Sequence, residues 1–525
     1  MTATSLRVRS LLLLTLALVL PWTQFYFYPI KNAFTALAAG WAGVMILALA
    51  GSAMICLEHA LNRFSRSQWV AWLAVILGLG LVLSIHAPGL SSWDDRHIAN
   101  ALAEGKVDGW MSFIYSITRQ ALFFTVRDIF ATGILQYLLV IFMAWRLLAL
   151  APTTSRLKHA LFCAMIVVVL LAPVTQLVML TLTRDSLYSL LLTSFLLWMV
   201  TRPQVAFSWR EMTVLSLALV ALGDLRLESR IFLVLLPLLA KVLRVFVWRD
   251  VRRYAMTALP LATLAYWGCP PLFGYETADL RYQLTTYVNP LSNILFNEGE
   301  QVLTHAQFNT IDRVISVKKM ISAYTPYEIE PFHQGATRAD FSLSDWHHFQ
   351  STALALFWSH RRTFLSNRVR MMRALLNVEQ SSSLLPYDEL HTHSNTAFAP
   401  GQAFFKYADK PDWQPLAYLY FGLYNDFFYD AGEAFTYLCF NLTVPLLLLL
   451  LFCFLRRKHP SFALVSLLVM ARLGVVFVTV PANHFSYVAS VWLVGWILFL
   501  VWLMRSGPVM TQDPTEAQEP PTPAL

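Results

Sequence analysis

Residues 69–85 read WVAWLAVILGLGLVLSI, and shortly after them comes Ser92-Trp93-Asp94-Asp95-Arg96-His97. No charge interrupts the first stretch, which approaches the ~20 apolar residues needed to cross a ~30 Å hydrocarbon core. The second places two adjacent carboxylates where such a helix surfaces. Ionised groups beside hydrocarbon are costly unless they face water, a partner or a pocket, so the acidic pair marks a candidate site.

Similar apolar runs recur on both sides of this one. Apolar residues make up 57% of 525 positions and charged residues 13%, about half the charge content of an ordinary soluble domain. Twelve runs are expected to span: 11–27, 36–57, 69–85, 129–150, 161–182, 186–200, 212–222, 231–247, 255–273, 434–455, 461–480 and 487–504. The expected class is an all-α polytopic membrane protein of about 12 transmembrane helices with a mainly helical periplasmic domain. The short 212–222 run and the 231–247 run could form one broken or re-entrant pair. The first run follows Arg7 and Arg9 but lacks a small-residue cleavage site, and Trp22, Phe25, Tyr26 and Phe27 fit the interfacial belt of a retained helix.

With a cytoplasmic N-terminus, the inside loops collect Arg63 and Arg66; Arg146, Arg156 and Lys158; Arg202 and Arg210; Lys241, Arg244, Arg249, Arg252 and Arg253; and Arg456, Arg457 and Lys458. That agrees with the positive-inside rule. The net charge of +8 is therefore mainly a topology signal, and basic residues dispersed at helix ends argue against nucleic-acid binding. Four regions follow: a transmembrane region at 1–273 with its outer loops, a periplasmic segment at 274–433, membrane helices at 434–505, and a Pro-, Thr- and Glu-rich cytoplasmic tail at 506–525 expected to be disordered. Helical patterns at 304–320 and 354–376, broken at Pro-containing turns, mark the outer segment as helical. The localisation this implies is a bacterial inner membrane with both termini cytoplasmic.

Outward charge concentrates in three turns: Asp94, Asp95, Arg96 and His97; Arg184 and Asp185; and Asp224, Arg226, Glu228 and Arg230. Short outside turns are polar in any membrane protein. In the third, however, four charges alternate with apolar residues, and Arg226 and Arg230 would share a face if the turn were helical, ready to grip a phosphate. Arg472 lies mid-span and must reach a carboxylate, water or an anionic ligand. Pairing inside the bundle and contact with a lipid phosphate both satisfy it. Residues 95–107 pattern as a surface helix or an ordinary connector.

Five cysteines make no disulfide framework, although Cys269 and Cys439 lie near the outer ends of the helices flanking the long loop. His333, His347, His348, His360, His391 and His393 lack the helical pairing or nearby Cys of a zinc site. Trp346, Trp358, Trp413, Tyr418, Tyr420 and Tyr424 could stack on sugar rings or pack the outer domain.

A long first outer loop opening on an acidic pair, further charged outer turns and a large late outer domain resemble the GT-C superfamily of polytopic glycosyltransferases. Arg184-Asp185-Ser186-Leu187-Tyr188-Ser189-Leu190 is similar to the basic-acidic turn that opens a span in a bacterial branch of it. Asn289-Pro290-Leu291-Ser292, Ile311-Asp312, Tyr324-Thr325-Pro326-Tyr327 and Phe357-Trp358-Ser359-His360-Arg361-Arg362-Thr363-Phe364 resemble that branch's outer domain. Asp-Asp replaces the commoner Asp-Glu in the first loop, so the resemblance does not say which of Asp94 and Asp95 is the base.

The resemblance implies an inverting transfer of a sugar from a polyprenyl-phosphate donor to an envelope lipid, glycan or protein acceptor, in contact with membrane lipids. Asp94 or Asp95 would take the acceptor proton. Arg184, Arg226, Arg230 and Arg472 would hold the donor phosphate, supported by Asp185, Glu228, His97 and His360. The arginines could do this without a metal; if a divalent cation, Mg or Mn, takes part, Asp94, Asp95 and Asp185 would hold it. A polysaccharide ligase or polymerase would lean on His360, His484 and the arginines instead. A lipid-linked substrate transporter or flippase would show related halves with paired broken helices, which the sequence lacks.

Overall fold

The computed structural model describes residues 33–85, 112–126, 130–151, 155–202, 206–272, 280–376, 439–482 and 484–505. Among them the chain is almost wholly helical. An isolated antiparallel bridge joins Ile315 and Thr337.

The first group of helices is α1 (Ala33–Arg63), α2 (Arg66–Ile85), α3 (Phe113–Val126), α4 (Phe130–Leu148), α5 (Arg156–Leu170), α6 (Pro173–Leu180), α7 (Arg184–Thr201), α8 (Trp209–Leu225), α9 (Phe232–Val242), α10 (Trp248–Thr263) and α11 (Cys269–Leu272). The second group is α12 (Leu280–Glu298), α13 (His305–Val314), α14 (Val317–Ser322), α15 (Glu330–His333), α16 (Leu343–Ser359) and α17 (Arg361–Leu375). The last is α18 (Thr443–Phe454), α19 (Pro460–Thr479) and α20 (Ala489–Arg505).

Among the described residues, four helical segments are long and apolar enough to cross a membrane: Thr35–Arg63, Arg66–Ser84, Ala131–Leu148 and Pro460–Thr479. The pair α5 and α6, bent by 47°, makes a fifth when taken as one broken span. Twelve spans are therefore not supported. The apolar runs overstate the helices in identifiable ways. Arg244 adopts a positive φ of 60° just past the end of α9, which covers only eleven residues. Helix α10 passes into a π turn at Leu264–Gly268 before Cys269-Pro270-Pro271. Helix α18 is described only from Thr443, leaving twelve residues. The bent pair falls at Pro173, whose ring cannot continue the preceding helix, whereas the apolar pattern places it at the 212–222 and 231–247 runs. The expected first span at 11–27, the 95–107 segment, residues 377–433 and the tail at 506–525 lie outside the described residues.

Three apolar clusters organise the described residues. The largest unites α1–α10 with α18–α20 and takes in Met371 and Leu375 from the end of α17. A second joins α12–α16, where Leu284, Val288, Leu291 and Leu295 of α12 meet Trp346 and Phe349 of α16. In the third, Ala38, Ala39 and Ala42 of α1 pack on Ala121 of α3, small side chains that let two helices approach closely. Side chains on the outside of the bundle are themselves apolar, with Leu61, Leu77, Val234 and Phe454 exposed, as suits helices solvated by lipid rather than water.

Residues 280–376 are mainly helical, with a finer division than the sequence patterns give. The 304–320 pattern splits at extended Ile315, because Ser316 starts a new helix by accepting the Lys319 amide. The 354–376 pattern divides at His360, which ends α16 and precedes α17. Capping boxes at Thr304/Gln307 and Ser342/Asp345 satisfy amides that the first turns would otherwise leave unpaired. Trp346 is a core residue here, whereas Trp358 is exposed. All five cysteines are free, including Cys269 and Cys439.

Candidate functional site

Residues 480–482 and 484–488, between α19 and α20, touch both the helical segment 280–376 and the charged turns of the bundle. On one side, Arg368 of α17 donates Nη1 to the Val480 carbonyl at 2.8 Å, and His484 lies 3.9 Å from Glu328. On the other, Ser486 donates to Asp185 at 3.2 Å, and the Arg226 guanidinium lies over the Tyr487 ring, 4.6 Å from its centroid. Residues 280–376 and the charged turns therefore meet at the same end of the bundle.

Asp185 stands in the first turn of α7, where its negative charge suits the helix dipole. Thr183 caps that helix by accepting the Ser186 amide. The Asp185 carboxylate is in direct contact with Arg226. Arg226 follows α8 in an extended conformation and also lies 3.7 Å from Glu228. Its exposure is only 5%. Burial alone would lower its pKa, but Asp185 and Glu228 outweigh that and leave it above the ordinary value. Burial likewise works to raise the Glu228 carboxyl, and the guanidiniums of Arg226, Arg472 and Arg184 overcome it, so its pKa falls below the ordinary range.

Arg472 projects from the middle of α19 and is 1% exposed. Its Nη1 donates to the Tyr487 carbonyl at 3.0 Å and to the Ser490 hydroxyl at 3.2 Å, while the guanidinium lies over the Tyr188 ring at 4.7 Å. Neither its Nε nor its Nη2 has a hydrogen-bond partner among the described residues. A buried guanidinium with two unused donors is costly in a low-dielectric setting. An acceptor, and best an anion, would offset that cost.

Arg226 and Arg230 do not share a face. The segment Leu227–Ile231 is a 3-10 turn, and Arg230 folds back to donate to the Gly223 carbonyl at 3.2 Å with Tyr266 under its guanidinium at 4.2 Å. Close approach of Arg230 and the Tyr266 hydroxyl leaves no room for a Cβ at Gly223. Arg184 stands 3.8 Å from Asp185. Asp224 accepts the Ile114 amide at 2.8 Å and so ties α8 to the start of α3.

Of the sequence candidates, the structure brings together Arg184, Asp185, Arg226, Glu228 and Arg472, with Arg230 turned aside. His360 is elsewhere: its Nδ1 meets Glu298 at 2.5 Å, at the junction of α12, α16 and α17. Asp94, Asp95 and His97 lie outside the described residues, as do His391, His393, Trp413, Tyr418, Tyr420 and Tyr424. No set of three or more His, Cys, Asp or Glu side chains converges as a metal site among the described residues. Asp185 turns one oxygen to Arg226 and Ser486 and the other towards Arg184, an arrangement that does not fit a cation ligand. Tyr188, Ser229, Ser486, Tyr487 and Ser490 complete the cluster, with the Tyr188 and Ser229 hydroxyls 2.5 Å apart. Only Tyr188 carries a sequence signal, one helical turn beyond Arg184; the others enter through tertiary packing.

No protein-family model, curated protein or solved structure matches this chain.

Proposed function

We propose that this chain is an integral membrane glycosyltransferase of the GT-C type, acting at the bundle end that meets residues 280–376. The observation that most supports this reading is Arg472, a buried guanidinium with Nε and Nη2 unused. A polyprenyl phosphate supplies what those donors lack: a non-bridging phosphate oxygen at the head of a chain that partitions into hydrocarbon. Arg226 already has two carboxylate neighbours, so Arg472 rather than Arg226 is the principal phosphate contact. Arg184, Arg226, Arg230 and Arg472 interact electrostatically with the carboxylates of Asp185, Asp224 and Glu228. Among the described residues, four guanidiniums against three carboxylates leave an excess of positive charge suited to one bound anion.

In the reaction the acceptor hydroxyl attacks the anomeric carbon. The bond from that carbon to the phosphate oxygen breaks, and the electron pair leaves with the polyprenyl phosphate. Asp94 or Asp95 takes the hydroxyl proton, while Arg472 stabilises the charge gathering on the leaving phosphate. Attack opposite the leaving group inverts the anomeric centre. Transfer takes place on the periplasmic face of an inner membrane, with a lipid, glycan or protein of the envelope as acceptor.

Comparing the cell envelope with and without the protein by mass spectrometry tests the reading. Loss of one sugar mass from an envelope component, restored by the wild-type chain but not by Arg472→Gln, is the expected result. An unchanged envelope glycan profile, with an unchanged polyprenyl-phosphate-sugar pool, overturns it.

A further inference from the structure

The opposite end of α8–α10 carries a second charged feature, which sugar transfer does not use. Helix α8, of 17 residues, separates it from the Arg226 turn by about 25 Å at the usual helical rise. There Arg253 donates Nη1 to the Phe207 carbonyl at 2.5 Å and lies over the Trp209 ring at 5.3 Å. Lys241 lies over Trp248 at 4.8 Å. Phe207 packs against Phe246 with ring centroids 5.0 Å apart. These contacts draw residues 206–211 and 241–253 into one surface. Trp209 and Trp248 are 48% and 65% exposed, and Arg210, Arg244, Arg249 and Arg252 are exposed beside them.

The two acids in this surface have partners of their own, although one buried oxygen of Asp250 has no hydrogen bond among the described residues. Glu211 receives Arg202 at 3.1 Å and caps α8 through Ser208. Buried Asp250 accepts the Val247 amide at 3.2 Å. The exposed guanidiniums therefore have no matching acidic face within these two segments. Exposed tryptophans beside arginines, at the ends of apolar helices, fit the headgroup layer of a bilayer, where the ring is half solvated and the cation meets phosphate.

We propose that this end of the bundle binds the phosphodiester headgroups of anionic phospholipid, with Arg210, Arg249 and Arg252 contacting phosphate and Trp209 and Trp248 seated among the glycerol and upper acyl groups. Charge selects the lipid: a zwitterionic headgroup offers phosphate but also a compensating ammonium. The contribution of basic residues beside an anionic surface accumulates with each charge.

The test uses the full chain in detergent, titrated with phosphatidylglycerol or phosphatidylcholine and followed by native mass spectrometry. Retention of phosphatidylglycerol over phosphatidylcholine is expected. The triple variant Arg210→Gln, Arg249→Gln, Arg252→Gln is expected to bind phosphatidylglycerol roughly a hundredfold more weakly, with phosphatidylcholine binding unchanged. Lys318→Gln, Arg361→Gln, Arg362→Gln on the outer segment, three exposed cations, serves as a charge-matched control and keeps wild-type retention. Equal retention of the two lipids by the wild type overturns the proposal, as does an equal loss in the control or undiminished phosphatidylglycerol binding by a folded triple variant. Should the triple variant fail to fold, the three single variants carry the same comparison, and no loss in any of them is equally decisive.

Discussion

Replacing Asp185 by Asn removes a charge and leaves the side chain's shape almost unchanged. It is therefore a direct probe of the contact between α7 and the turn after α8. Arg226 is 5% exposed and, among the described residues, keeps only Glu228, at 3.7 Å, as an ion-pair partner after the change. Stripping one partner from a buried ion pair typically costs about 3–5 kcal/mol. The remaining Glu228 puts this case near the lower figure, about 3 kcal/mol, or roughly two decades in the unfolding constant. Equilibrium unfolding of purified protein in mixed micelles, followed by tryptophan fluorescence, measures it. Adding Arg226→Met to Asp185→Asn should recover part of the loss, because the uncompensated charge disappears with its partner. A single variant within about 0.5 kcal/mol of wild type, or a double variant no better than Asp185→Asn, would mean that this pair does not hold α7 to the turn.

Gly495 packs so that a Cβ would come within 2.8 Å of the Pro445 Cα; Gly495→Ala is expected to destabilise the α18–α20 contact by about 1–3 kcal/mol in the same unfolding assay. Glu228 has a pKa below its ordinary 4.5. Its contribution is present above that ordinary value and lost as pH falls through the lower folded value, so wild type should lose stability in acid more steeply than Glu228→Gln, as read from melting temperatures across the acid range. Arg368 is fully buried among Asn289, Asn367 and the Val480 carbonyl, and burial pushes its pKa down to about 10. Arg368→Met leaves the Asn367 Oδ1 and the Val480 carbonyl without this donor, while Asn289 Oδ1 keeps the Asn367 amide, and faster hydrogen exchange at 480–482 and 484–488 is the expected consequence.

Helicity and the existence of apolar spans were legible because hydrophobic runs survive any uncertainty in packing. Their number was not. A run such as 255–273 looks continuous by composition, yet its helix changes pitch at Leu264–Gly268 and meets consecutive prolines. Local backbone conformation also decided the arginines: four-residue spacing puts Arg226 and Arg230 on one face only in an α-helix, and the turn is 3-10. Asp185, Arg226, Glu228 and Arg472 stand out as charges amid apolar sequence, and the first three form one ion-paired group. That Arg472 hydrogen-bonds to Tyr487 and Ser490 depends on tertiary contacts that no spacing rule encodes. His360 is legible as a polar residue but not in its place, since its partner Glu298 lies on another helix, α12.

Sugar transfer from a polyprenyl phosphate is decided by reconstituting the full-length protein with a radiolabelled polyprenyl-monophosphate sugar and a crude envelope acceptor fraction, and measuring release of polyprenyl phosphate alongside transfer of label. Wild type should release polyprenyl phosphate in step with label appearing on the acceptor. Arg472→Gln should slow release, and Asp94→Ala, Asp95→Ala together should abolish transfer in folded protein. Full activity in that double variant would rule out both carboxylates as the base, and wild type that leaves the labelled donor intact would rule out the transfer itself.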